Sequence, residues 1–380
     1  MIDSIRLNNF KSHADTEISF SRLTALVGLN SSGKTTVLQA IHYMSQLISM
    51  TDGTMDMLFQ GKCGPDVLCG KKKDAFNLIV RGHKKEQSVV IGIEFMQSEK
   101  RASASEPWSP KIFWNWGEWK DEIVGWDTQL PSTINSLTHV LQATYLKINS
   151  EKAASPSYTE CIPPQVEYNG KGLASAVAYL MTYDSDRFHD LQKAMRKVVP
   201  ALRRIRVRPA RTKIYEKSLF PTNGSHVRLN ETREVIGHEL LFDMVGAEAV
   251  PAHSMGEGTL LVLALLTVFF SPNRSEIILL DDAEQGLHPR AQREFMQIIH
   301  QLLDSCEDLQ IILATHSPYI VNGLDASEVW VLSDDRFGKI ASCRLRDHPD
   351  AESALQILTG EAFLISGEGN QGTEKREVRV

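Results

Sequence analysis

Several features that would place this chain in a function class are missing from it. No apolar run is long enough to cross a bilayer: the longest, Leu260 to Phe270, is interrupted by Thr267 and falls far short of the ~20 residues required. No charged leader precedes a hydrophobic stretch, and the first residues already alternate like a strand, so the expected location is cytoplasmic, with no membrane partner. Five cysteines (Cys63, Cys69, Cys161, Cys306 and Cys343) form no CxxC pair and no Cys/His cluster at zinc spacing, which excludes a disulfide framework or zinc knot. Basic excess is absent too. With 41 Lys and Arg against 47 Asp and Glu, the net charge of -6 excludes a uniformly cationic surface but leaves room for a local basic face. There is no internal repeat, and no heptad run long enough for a coiled-coil arm. What remains is an ordinary globular composition, 42% hydrophobic and 23% charged, with length for two or three packed units.

Alternation in residues 2 to 28 predicts two or three strands, ending in a glycine-rich turn. Val37, Leu38, Ile41, Met44, Leu47 and Ile48 then recur at helical spacing, predicting a helix over Lys34 to Ser49 with one buried stripe. The middle is less regular: strand candidates lie at Phe76 to Val80 and Val89 to Phe95, and a helical stretch at Leu173 to Met195. Order returns with an apolar helix from Thr259 to Phe270, a strand Ile277 to Leu280, a helix Pro289 to Leu303 and strands at Ile311 to Ala314 and Val329 to Leu332. Alternating strands and helices imply an α/β fold with a mixed, mostly parallel sheet. The expected organisation is a head split between 1–55 and 231–345, an inserted α+β lobe at 56–230 and an extension at 346–380, polar and glycine-rich after Ser366.

Gly28-Leu-Asn30-Ser31-Ser32-Gly33-Lys34-Thr35 matches GxxxxGK[ST] between an apolar strand and an amphipathic helix, the context this motif requires. Glycines let the backbone curl so that successive N–H groups face phosphate oxygens, and the helix N-terminus adds its positive end. Lys34 would reach the outer phosphates, Thr35 would offer a hydroxyl to Mg2+, and Thr36 would support the loop, with ATP as the expected ligand. The strand Ile277-Ile-Leu-Leu280 runs into Asp281, Asp282 and Glu284. Asp281, at the strand end beside the loop, is the expected magnesium-side carboxylate. Asp282 is the first choice for the group that polarises attacking water, with Glu284 a rival and a helix-capping role for Glu284 its alternative. A second apolar strand, Ile311 to Thr315, ends in His316, placed to sense a terminal phosphate if the two strands are neighbours.

Met255-Gly256-Glu257-Gly258-Thr259 opens the apolar helix shortly before the acidic strand, where a signature segment is expected, with Ser254 just ahead of it. Together GLNSSGKT (28–35), MGEGTLLVLALL (255–266), IILLDDAEQGLHP (277–289) and LATHSP (313–318) resemble the ABC-type ATPases related to RecF, the SMC-like repair ATPases and the ATPase half of the OLD nucleases. The opening Asn9-Phe10-Lys11-Ser12-His13 is similar to the strand-turn element that begins those proteins, and places Lys11 among the nucleotide-binding residues. The resemblance covers about residues 1–48 and 235–325 and implies a stand-alone head that pairs with another, as a homodimer or higher oligomer. Each cradle would face the partner's Ser254, Gly256, Glu257 and Gly258. Two departures bear on rate. Gly256 stands where the family has serine, and Asp282 where it has glutamate, so hydrolysis is expected to be slow.

Between Lys193 and Lys217 the only acid is Glu216, and Arg204, Arg206 and Arg208 alternate so as to share one face of a strand. That strip suits a nucleic-acid backbone, an acidic partner, or a solvated face balanced by acids from elsewhere. Trp108, Trp114, Trp116, Trp119 and Trp126 crowd the insertion as either the core of a small lobe or interface anchors. The resemblance implies an ATP-switched module governing a separate effector, a nuclease or toxin, of the kind found in bacterial defence operons. Alternatives are a RecF-like repair ATPase that binds DNA itself and a nucleotide-locked scaffold. An OLD-like nuclease or a transporter motor fits less well, because too little chain follows the Val329 to Leu332 strand and the insertion is long.

Overall fold

Leu23–Val27, Ile277–Leu280 and Gln310–Thr315 are mostly apolar without alternation and buried at every residue, as in a sheet covered on both faces. The computed structural model, which describes residues 1–49, 76–84, 87–97, 108–116, 125–127, 141–222, 225–334 and 340–348, shows that sheet. In chain order the strands are β1 Ile2–Phe10, β2 His13–Ser19, β3 Leu23–Val27, β4 Phe76–Lys84, β5 Gln87–Gln97, β6 Trp108–Trp116, β7 Gly125–Asp127 and β8 Ala143–Leu146. They continue with β9 Leu202–Thr222, β10 Ser225–Met244, β11 Ala247–Pro251, β12 Ile277–Leu280, β13 Gln310–Thr315, β14 Val329–Asp334 and β15 Ile340–Arg344. The helices are α1 Lys34–Ser49, α2 Ser150–Ala154, α3 Leu173–Tyr183, α4 Ser185–Val198, α5 Glu257–Phe270, α6 Pro289–Ser305 and α7 Pro318–Val321.

The central sheet has the order β15-β14-β3-β13-β12-β8, parallel except for β15. Successive residues of its strands feed two different cores, as the two-residue period of a strand requires. Ile278, Leu280, Ile311, Leu313 and Ala25 join one core with α3, α4, α5 and α6; Ile277, Leu279, Ile312, Ala314 and Leu26 join the other, with α1 and a second sheet. Ten consecutive residues of α5, Leu260 to Phe269, are buried, so this helix runs through the first core rather than along its surface. The α1 stripe buries Val37, Leu38, Ile41 and Met44, as its spacing predicts; the side chains of Leu47 and Ile48 lie outside the described residues.

The second sheet, β2-β1-β4-β5-β6-β7, is antiparallel. Here the structure departs from the expected division of the chain. β4 pairs with β1, and β8 pairs in parallel with β12, so parts of the 56–230 stretch share sheets with the head. Periodicity marks a strand but not its neighbour, and nothing local announces these long-range pairings. The predicted Leu173 to Met195 stretch is two helices, α3 and α4, broken at Asp184, whose side chain caps α4 by accepting from the Arg187 N–H. β9 and β10 form a long hairpin, completed at its base by β11. Of the tryptophans, Trp108, Trp114 and Trp116 lie on β6 and Trp126 on β7; Trp119, the tail after 348 and the side chains of the cluster lie outside the described residues.

Candidate nucleotide site

The loop between β3 and α1 follows from its glycines. A Cβ on Gly28 would collide with the Leu332 carbonyl and Ser32 Oγ, and Gly33, at φ +88°, leaves 2.5 Å to the His13 ring. Ser31 also takes a positive φ, 67°, so the loop curls back on itself. Lys34 is nearly buried and donates to the carbonyl oxygens of Gly28 (2.7 Å) and Leu29 (2.9 Å). Burial pulls its pKa down, against the opposing pull of Glu284, Asp282 and Asp281. A cavity of about 290 Å3 lies in front of the loop, lined by Ser12, Asn30 to Thr36, Lys147, Asp282 and His316. Its size and its polar wall suit the phosphate end of a nucleotide.

β12 delivers the carboxylates. The Asp281 side chain is fully buried, and Thr35 Oγ1 donates to it at 2.9 Å, Tyr145 Oη at 2.9 Å and Lys147 Nζ at 2.8 Å. Burial and the Asp281 charge raise the Tyr145 pKa, keeping the phenol a donor. Asp282 projects the other way, into the cavity, from a left-handed backbone at φ 57°. Aspartate tolerates that backbone better than glutamate, which gives a physical reason for the shorter acid here. Lys147 also reaches Asp282, at 2.9 Å; burial disfavours its charge, but the bonds to both aspartates outweigh that and its pKa is raised.

The β13 strand lies beside β12 and ends at the cavity, as the switch reading requires. His316 Nδ1 lies 3.0 Å from the Gly28 carbonyl, which can only accept, so Nδ1 carries the proton. Glu284 has both oxygens engaged, by Thr315 Oγ1 at 2.7 Å and the His316 N–H at 2.8 Å. That geometry corrects its candidacy as a water-activating group: it anchors the β13 end, and Asp282 is the acid on the cavity wall. The same holds for Lys11, whose ammonium donates to Gln39 Oε1 at 2.6 Å and lies over the Phe10 ring, whereas Ser12 lines the cavity.

Sequence reasoning missed Tyr145, on the short strand β8 inside the assumed insertion, and Lys147, just after it; neither carries a motif. It also missed Ser12 and His13. The His13 ring is buried under Gly33, within hydrogen-bond distance of the Gly33 carbonyl (3.2 Å) and Thr16 Oγ1 (3.0 Å), and burial lowers its pKa. The oxygen donors Thr35 and Asp281 fit a hard cation such as Mg2+, which when bound would draw charge from phosphate oxygens.

The signature segment stands apart from this cavity. Ser254, Gly256 and Glu257 are exposed, none lines the cavity, and a Cβ on Gly256 would meet nothing within 4 Å. Gly258, by contrast, packs against the turn after Glu284, with only 2.5 Å between a Cβ there and the Gly286 carbonyl. Glu257 accepts a bond from Ser150 Oγ at 2.9 Å. In the basic strip, Arg206 pairs with Asp243 at 2.6 Å and Arg208 with Glu239, so two of the three arginines are balanced by acids of β10; Arg204 stands opposite Asp243. Among the described residues no helix is long and apolar enough to cross a membrane.

Comparison with known proteins bears on the same elements. The family model described as "AAA ATPase domain" matches residues 1–162, and "AAA domain, putative AbiEii toxin, Type IV TA system" matches residues 145–322. An "ATP/GTP phosphatase" of Helicobacter pylori is 22% identical over 343 residues, covering 86% of this chain and 88% of the relative. A "Retron Vc95 probable ATPase" of Vibrio cholerae is 29% identical over 128 residues, 30% of this chain and 24% of that protein. An Smc head bound to the C-terminal winged-helix domain of ScpA superposes at a TM-score of 0.56 with 15% identity, over 90% of this chain and 98% of that one. The Smc head of Pyrococcus yayanosii does so at 0.57 with 11% identity, over 94% and 99%. Those likenesses show the fold, that of an Smc-type ATPase head, and the two family models, each over less than half of the chain, match its stretches 1–162 and 145–322 to AAA ATPase domains, in keeping with the phosphate-loop geometry.

Proposed function

We propose that this ATPase holds ATP and Mg2+ in a half-site and turns over when a second copy places its Ser254 to Gly258 segment against the cavity. The observation that carries this reading is the separation within one subunit: the cradle is walled by Ser12, residues 30–36, Lys147, Asp282 and His316, while Ser254, Gly256 and Glu257 of the signature are exposed and none of them lines that cavity. The start of α5, with N–H groups not used within the helix, is suited to complete a phosphate site across an interface.

In this account Gly28 to Thr36 wrap the phosphates and Lys34 neutralises them. Asp281 and Thr35 hold Mg2+. Asp282 takes a proton from the attacking water, and His316, hydrogen-bonded to Gly28 and tied through its N–H to Glu284, reports the terminal phosphate to the following turn. Dimer closure on ATP and opening after hydrolysis then switch a separate effector, in a bacterial defence system. The Vibrio cholerae relative's name, a retron ATPase, and the toxin-antitoxin description of the matched family favour that setting over solitary repair. The pairing of Arg206 and Arg208 with acids weighs against the strip as a DNA clamp.

Light scattering on Asp282→Asn, which should bind ATP without turning it over, tests the proposal. A mass of twice 42.5 kDa with ATP and Mg2+ that reverts with ADP is expected. The same mass in every nucleotide state would overturn it.

A further inference from the structure

Lys147 directly follows β8, the edge strand of the central sheet, and the register sets Leu146 opposite Leu280, so its side chain meets the carboxylates that follow β12. Its ammonium lies 2.8 Å from Asp281 Oδ2 and 2.9 Å from Asp282 Oδ2. Tyr145 and Thr35 also bond Asp281, but neither carries charge, so among the described residues Lys147 is the cation in direct contact with this acid pair. A buried carboxylate beside a second one is costly without such a partner. Yet the lysine is not locked away. Its side chain is 44% exposed and lines the same cavity as the phosphate loop.

A divalent cation at Asp281 would compete for an oxygen that Lys147 already holds, and two cations at one carboxylate repel each other. A lysine, with a compact charge on a flexible four-carbon stem, can leave that carboxylate without leaving the cavity. We propose that Lys147 is a substrate-binding lysine that exchanges partners. In the nucleotide-free chain it stands in for the metal between Asp281 and Asp282. When the nucleoside triphosphate and its metal enter, it transfers to the phosphate chain as a second cationic contact besides Lys34. This rests on the reading of the cavity as the ATP site.

Two binding measurements separate this role from a structural one. A fluorescent ATP analogue is titrated in EDTA, and Mn2+ is titrated into nucleotide-free protein by electron paramagnetic resonance, for the wild type, Lys147→Gln and Lys147→Arg. The expected result for Lys147→Gln is metal-free nucleotide binding weakened about tenfold, as for loss of a charged contact, with Mn2+ binding strengthened severalfold because its competitor is gone. Lys147→Arg keeps the charge and should stay near the wild type in both. Either quantity unmoved in Lys147→Gln overturns the exchange. Should that variant fail to fold, Lys147→Gln/Asp282→Asn against Asp282→Asn alone carries the same readouts with one carboxylate fewer to balance. Lys34→Ala distinguishes the two failures: nucleotide binding intact in that variant would sink the ATP site itself, whereas binding lost there and unmoved in Lys147→Gln sinks only the role of Lys147.

Discussion

The cradle and the signature segment are built on opposite plans. At the base of the cradle the buried ionic groups have partners within the chain: Lys34 bonds its own loop, Asp281 takes three donors, and the half-buried Glu284 ties down the end of β13. At the signature, Gly256 borders open space and Ser254 and Glu257 are exposed, while Gly258 two residues on is tightly packed. A preorganised pocket and an open edge in one chain mean that the pocket can hold ligand alone but the edge needs a partner. Substitutions at the first should act within the subunit; those at Gly256 should act only between subunits.

The largest effect is expected from Lys34→Ala, which removes the principal phosphate cation and should abolish detectable phosphate release, by about 1000-fold or more, without lowering the melting temperature. Asp282→Asn should slow single-turnover hydrolysis by roughly 100-fold or more while nucleotide binding persists, the signature of a lost proton acceptor. Within the packed half, Leu263→Ala in α5, at 0% exposure, should destabilise the fold by about 2–5 kcal/mol in denaturant titration, with any loss of activity following from unfolding.

The next effect is pH-linked. Burial lowers the His42 pKa from its usual 6.5 to about 4, and its Nδ1 is buried without a hydrogen-bond partner. The unfolded chain therefore binds this proton first. Stability from a neutral His42 is complete above pH 6.5 and declines as pH falls towards 4, by up to about 3 kcal/mol. His42→Leu should flatten that part of the melting-temperature profile. The smallest effect sharpens the contrast most. Gly256, the N-cap of α5, has an ordinary extended backbone at φ -65° and empty space around it, so Gly256→Ser should leave the melting temperature alone and raise turnover a few-fold through one added interfacial hydrogen bond.

How much of this was legible beforehand follows from the range of each signal. Gly28 to Thr35 and the apolar strand before Asp281 are local patterns, and the fold brings Thr35 Oγ1 to Asp281 across 246 positions of sequence because Asp281 follows β12 and Thr35, in the first turn of α1, follows the loop after β3, two strands of one parallel sheet. Lys147 was not legible. Its meaning depends on β8 pairing with β12, a contact that no residue within the 56–230 stretch reveals. The Arg206 and Arg208 strip was legible as a charge run only, because the acids that balance it lie on the far strand of a hairpin. Glu284 looked like a rival to Asp282 on spacing alone, and only the donors at Thr315 and His316 separate their roles.

The claim that the site is shared between subunits meets its most direct test in mixing two inactive variants. Lys34→Ala damages only the cradle; Gly256→Glu, which has room for its side chain in the free subunit, sets a negative charge against the partner's phosphates. Each alone should be inactive and correctly folded. Mixed, they form heterodimers with one intact pairing of cradle and signature, and phosphate release should reappear above the sum of the separate proteins. Activity in Gly256→Glu alone equal to the wild type, or a mixture no more active than its parts, would contradict the account.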